Sequence, residues 1–214
     1  MSGWTAWADV ATSAKGFMPH DEGMALYLAG LDAAASGLPL LEIGTYCGKS
    51  AVYLGSAARL RGNVLFSVDH HRGSEELQPG WPHHDPEVVD PSSGRVDTLP
   101  WARRTVAEAG LESSVVLVVG ESSTVARFWA SPLSMLFIDG GHGAAPARAD
   151  FDGWLPHLAL DGTLAVHDVF ADPADGGQVP YDLYSGALRS GELVETLAVG
   201  SLRLARRALP PRAR

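Results

Sequence analysis

Residues 38–50 read LPLLEIGTYCGKS: an apolar run that stops at Gly44, three further residues, a second glycine at Gly48, then Lys49 and Ser50. A short apolar run closed by glycine is the pattern of a strand buried on both faces. Two glycines at this spacing permit a tight turn and close approach of a ligand, and the helix that follows offers unpaired N–H groups to a carboxylate.

Outward from this segment the pattern repeats, with further strand-like runs at 63–69 (NVLFSVD), 114–120 (SVVLVVG), 134–140 (SMLFIDG) and 162–170 (GTLAVHDVF). Helical stretches are predicted at 49–60, 99–109, 124–130, 146–158 and 181–188, after an earlier helix over 21–35 whose start Asp21 would cap. Strands alternating with helices indicate a doubly wound α/β fold: a mostly parallel, seven-stranded sheet with helices on both faces. ELVETLAV (192–199) and SLRLARR (201–207) around Gly200 supply an antiparallel edge hairpin.

The expected organisation is one domain over 1–208 with a disordered tail at 209–214. One stretch breaks the alternation: residues from about 70 to 98 are dense in Pro, Gly, His and charge, and read as a lid. A net charge of −9, with basic residues scattered until a short C-terminal run, argues against a nucleic-acid partner. The single cysteine, Cys47, precludes an internal disulfide and reads as a small apolar filler. The N-terminal residues lack a signal-peptide pattern and no apolar run is long enough for a membrane span, so a cytoplasmic protein without membrane association is expected, with a homodimer from base rates.

Ligands of open α/β sheets bind beyond the carboxyl ends of the strands. Glu42, Gly44, Thr45, Tyr46, Gly48 and Ser50 are therefore expected around a cofactor, with Asp69, beside His70, accepting from both hydroxyls of a ribose, and Gly120, Glu121 and Ser122 bordering an adenine. A phosphate loop is the strongest rival, because residues 48–50 read GKS and LFID at 136–139 resembles a metal-binding strand. That loop needs four residues between its glycines, and here there are three. No G-x-G-x-x-G follows the first strand, which disfavours a nicotinamide cofactor.

The fourth and fifth strands end in Asp139-Gly140-Gly141-His142 and His167-Asp168. Two carboxylates suit Mg²⁺, and an added imidazole tilts the choice toward Mn²⁺, so Asp139, His167 and Asp168 are candidate metal ligands. A cation bound to a hydroxyl oxygen lowers its pKa, and His142 is the candidate base. Blander roles stay open: Asp139 as a turn residue, His167 as a satisfied core histidine, Asp168 as a strand cap. His71, Arg72 and Trp81 of the insert, with Gln178 and Tyr181 of a polar loop over 172–181, are candidate substrate contacts, and His83 and His84 are weaker ones.

EIGTYCGKS, SVDHH, FIDGGH and VHDVF, spread over about residues 20 to 205, resemble the class I S-adenosylmethionine methyltransferases that include metal-dependent sugar O-methyltransferases. The resemblance implies S-adenosylmethionine and Mg²⁺, with Asp139 as ligand and His142 as base. At the fifth strand that family carries an acidic pair, where this chain has His167-Asp168. DHHRGSEELQPGW, VDTLPW and DPADGGQVPY resemble, more narrowly, methylmannose polysaccharide 1-O-methyltransferases, which implies methylation of the 1-hydroxyl of a 3-O-methylated mannoside. Two alternatives are a metal-independent O-methyltransferase of small natural products and a non-catalytic S-adenosylmethionine-binding protein.

Overall fold

Leu40–Ile43, buried at every position, is β1 of the computed structural model, which describes residues 4–208. Before it lie α1 (Trp4–Ser13) and α2 (His20–Ala34); after it come α3 (Lys49–Leu60) and β2 (Leu65–Asp69). The insert holds two single 3₁₀ turns and a ribbon of β3 (Val89–Asp90) and β4 (Arg95–Val96). Then follow α4 (Leu99–Glu108), β5 (Val115–Val119), α5 (Ser122–Ala126), β6 (Leu133–Ile138), α6 (Ala144–Trp154), β7 (Leu158–Val166), α7 (Val179–Arg189), β8 (Leu193–Val199) and β9 (Leu202–Arg207).

The main sheet has seven strands in the order β5-β2-β1-β6-β7-β9-β8. The first five are parallel, and the β8–β9 hairpin runs antiparallel at the edge, as the alternation predicts. Side chains alternate across the sheet. Leu40, Met135 and Phe137 pack with Tyr27, Tyr53 and Leu54 on one face. Leu41, Ile43, Leu136 and Ile138 pack with Phe151, Trp154 and Tyr184 on the other. The chain winds outward from β1 to β2 and β5 on one side and through β6 to β7 on the other. The reversal between β1 and β6 opens a crevice above their carboxyl ends, where such sheets take ligands.

Several boundaries differ from expectation. β7 spans 158–166, so His167 and Asp168 stand just past the strand and not within it. α5 starts at Ser122 and ends at Ala126, earlier than predicted at both ends. Pro19 occupies the N-cap position of α2, and Asp21 sits inside its first turn without capping it. α1 was not foreseen, and the tail expected at 209–214 lies outside the described residues. No described helix is long and apolar enough to cross a membrane.

Candidate functional site

The turn after β1 is shaped by contact with the strand beside it. Gly44 has φ +93°, and a Cβ there would collide with the carbonyl oxygen of Asp139, so the ends of β1 and β6 are drawn together by the missing side chain. Gly48, at φ +90°, stands at the N-cap of α3, and Tyr46 between them is also left-handed, at φ +46°. Asp69 fastens this turn: its carboxylate accepts from the backbone N–H of Tyr46 at 2.8 Å and of His71 at 2.7 Å.

Beneath the turn, Glu42 is fully buried and accepts from the Ser67 hydroxyl at 2.6 Å, while Thr45 Oγ1 lies 2.5 Å from the same hydroxyl. Burial pushes the Glu42 carboxyl up to about 8, with Ser67 and Ser50 hydrogen bonds opposing the shift. Its second oxygen is buried without a hydrogen-bond partner. The side chains of Thr45 and Ser50, expected at the cofactor, are thus turned into this interior network. Ser122 is similarly engaged, since its hydroxyl accepts from the indole N–H of Trp154 at 2.7 Å. His70 is half-buried and accepts at Nδ1 from the N–H of Arg72, while Gly120 donates from its N–H to the Asp69 carbonyl.

Asp139, His142, His167 and Asp168 meet above β6 and β7. His167 is buried, its Nε2 2.6 Å from Glu22 of α2, its Nδ1 3.1 Å from Asp139 and 3.4 Å from Asp168. Burial opposes its charge, but the carboxylates of Asp139, Asp168 and Glu22 push it up to about 12. Asp168 adopts φ +55°, a strained conformation for a non-glycine residue that turns its carboxylate back toward the two imidazoles.

Donor atoms of Asp139, His167 and Asp168 all lie within 4.8 Å of one another. Neighbouring ligands of an octahedral cation at ~2.1 Å are separated by about 3.0 Å, close to the separations around Nδ1. Glu22 on the opposite ring nitrogen is the carboxylate partner that orients a ligating histidine. The donor set therefore fits a divalent cation, which would need His167 without its Nδ1 proton. Without one, a protonated His167 bridges the same carboxylates.

His142 is clasped from both sides, Nε2 3.1 Å from Asp168 and Nδ1 3.3 Å from Glu76, whose carboxylate also accepts from the His142 backbone N–H. These two acids push its pKa up to about 10, so in this arrangement the imidazole is charged at neutral pH. Each carboxylate favours the protonated ring.

Other expected contacts are placed differently. His71 is only 1% exposed, its Nδ1 2.8 Å from the Thr98 hydroxyl, so its side chain packs inside the insert instead of facing a substrate. Arg72 is tied to the Val96 carbonyl and Asp97. Gln178 donates to the carbonyls of Phe170 and Gly176, holding its own loop. Tyr181 packs against the core beneath α7, and Trp81 is exposed on the insert. Sequence reading missed Glu22 and Glu76. One lies in the first turn of a helix and the other in a polar loop, where an acid is ordinary and no spacing ties it to a strand end.

A family model described as a methyltransferase domain matches residues 41–169, more than half of the chain. Among solved structures, a protein from Corynebacterium glutamicum is 17% identical with a TM-score of 0.68, over 97% of this chain and 92% of that one. An O-methyltransferase from Bacillus cereus, in complex with SAH (S-adenosylhomocysteine), is 18% identical with a TM-score of 0.63, over 94% and 86%. An SAH-bound methyltransferase from Podospora anserina is 16% identical with a TM-score of 0.62, over 95% and 87%. At these identities the likeness carries the fold.

Proposed function

Because the chain belongs to the methyltransferase-domain family, we propose that it transfers the methyl group of S-adenosylmethionine to a hydroxyl oxygen with the aid of Mg²⁺ or Mn²⁺ held by Asp139, His167 and Asp168. The carrying observation is the meeting of those three donors with His142 at the crevice between β1 and β6. SAH in the two related structures supports the cofactor.

In this reading the turn at Gly44, Tyr46 and Gly48 receives the methionine end of the cofactor, Asp69 faces its ribose, and residues 120–122 border its base. When bound, the cation supplies positive charge that lowers the pKa of the acceptor hydroxyl and, beside Asp168, opposes protonation of His142. His142 receives the hydroxyl proton at Nε2. The freed oxygen forms a bond to the methyl carbon as the electron pair of the carbon–sulfur bond returns to sulfur, leaving SAH. Glu76 holds Nδ1 from the other side, which fixes the ring for that transfer.

The acceptor in this reading is a sugar hydroxyl, and the insert's resemblance directs it to the 1-hydroxyl of a 3-O-methylated mannoside. Reach of Glu76 from the insert to His142 supports the insert as a lid over that acceptor. The test is calorimetry of the metal-stripped protein with SAH, then methyl transfer to a short 3-O-methylmannoside with and without Mg²⁺. Turnover that needs the cation supports the reading. Turnover indifferent to chelation would assign metal-independent methylation to His142 alone. Tight SAH binding with no turnover on any hydroxyl would leave a non-catalytic binding protein.

A further inference from the structure

The buried stripe of α6 is Ala147, Asp150, Phe151 and Trp154, at the i, i+3, i+4, i+7 spacing of a helix face turned to the core. A carboxylate in the middle of that stripe is costly to bury unless something donates to it. Asp150 is 7% exposed, and the donor it faces is the Ser122 hydroxyl, itself engaged by the Trp154 indole. Burial pushes its pKa up to about 6 against that hydrogen bond, with Glu121, Asp69 and His70 as the neighbouring charges. At neutral pH it is therefore ionised and accepts hydrogen bonds only.

Its position is specific. One side meets Ser122 at the start of α5; the other meets the loop after β6, where a Cβ on Gly140 would lie 2.9 Å from Asp150 Oδ2. Asp150 also lines a small cavity that it shares with Asp139, His142 and His167, with Ala147, Phe151 and Ile138 as apolar walls. A ribose held at Asp69 of β2 would project its base toward β5, the neighbouring strand, and so toward Ser122 and Asp150.

Resting on the methyltransferase reading, we propose that Asp150 accepts a hydrogen bond from the 6-amino group of the cofactor's adenine and so selects the base. An ionised carboxylate attracts that N–H₂ and repels the 6-oxo group that replaces it in hypoxanthine. The residue acts on binding, which allows a test without any acceptor.

Calorimetry at pH 7.5 with SAH and with S-inosylhomocysteine reads it directly. The wild-type protein is expected to bind SAH about tenfold to a hundredfold more tightly, the range of one hydrogen bond to a charged group. Asp150→Asn, whose amide can turn its N–H₂ to a 6-oxo group, should lose that preference, and Asp150→Ser serves if the first variant does not fold. Equal binding of the two ligands by the wild-type protein, or a preference retained in a folded variant, would overturn the assignment while leaving methyl transfer intact. Binding of neither ligand by the wild-type protein would overturn both readings together.

Discussion

His142 and Glu42 illustrate how a single side chain sets what the site does. If His142 is the base, His142→Ala lowers turnover by ~10²–10⁴ while SAH affinity is unchanged; unchanged turnover would remove the role. Glu42 makes a pH prediction. Its folded carboxyl holds its proton to about 8, whereas an unfolded glutamate releases it near ~4.3. Between those values the folded chain binds more protons, so stability falls as pH rises through the window. Thermal melts from pH 5 to 8 should show a shallower decline for Glu42→Gln than for the wild-type protein. The meeting of Asp139, His142, His167 and Asp168 was legible because a parallel sheet forces its strand ends together, so residues just past each strand become neighbours. The state of His142 was not, since Glu76 reaches it from 66 residues away.

Elements that carry their own signal were legible, and those that borrow stability from others were not. The parallel strands announce themselves as apolar runs. α1 has no acidic residue in its first turn and no basic one in its last, and it is held by Trp7 stacking on Tyr27 and packing edge-on to Tyr53. The segment after it then meets the insert, where Lys15 pairs with Asp85 and Glu87 and Phe17 packs on His83; Lys15 also lies over Trp101 of α4, and Phe17 packs on Tyr46. The insert is thereby pinned beside the turn after β1 by partners about seventy residues apart. Because ion pairs at the protein surface are worth only about 0–1 kcal/mol, Lys15→Ala should change the melting temperature little. It should nonetheless speed limited proteolysis within the insert, and the wild-type protein should approach the variant's cleavage rate at high salt. Equal cleavage of both at low salt would show that the pairs do not hold the insert.

At the scale of the molecule, three distant parts of the chain converge on one carboxylate. Glu22 of α2 holds His167 Nε2 and also accepts from the backbone N–H of Ser201 in the β8–β9 turn. Glu22→Ala leaves the buried His167 Nε2 and the Ser201 N–H without their acceptor and is expected to cost about 3–5 kcal/mol, read as a fall in melting temperature. Glu22→Gln should keep the fold and weaken Mn²⁺ binding about 10- to 100-fold by calorimetry, if His167 is a ligand. Undiminished Mn²⁺ affinity would exclude Glu22 as its orienting group. The same turn has a consequence during synthesis. On the ribosome, the strands that carry the cofactor crevice emerge long before the hairpin that steadies Glu22. A nascent or clipped chain ending before residue 190 would lack both the strand that pairs with β7 and the Ser201 N–H that steadies Glu22 beneath His167. If His167 is a metal ligand, arrested chains of that length should therefore bind Mn²⁺ more weakly than chains that include the hairpin, by calorimetry.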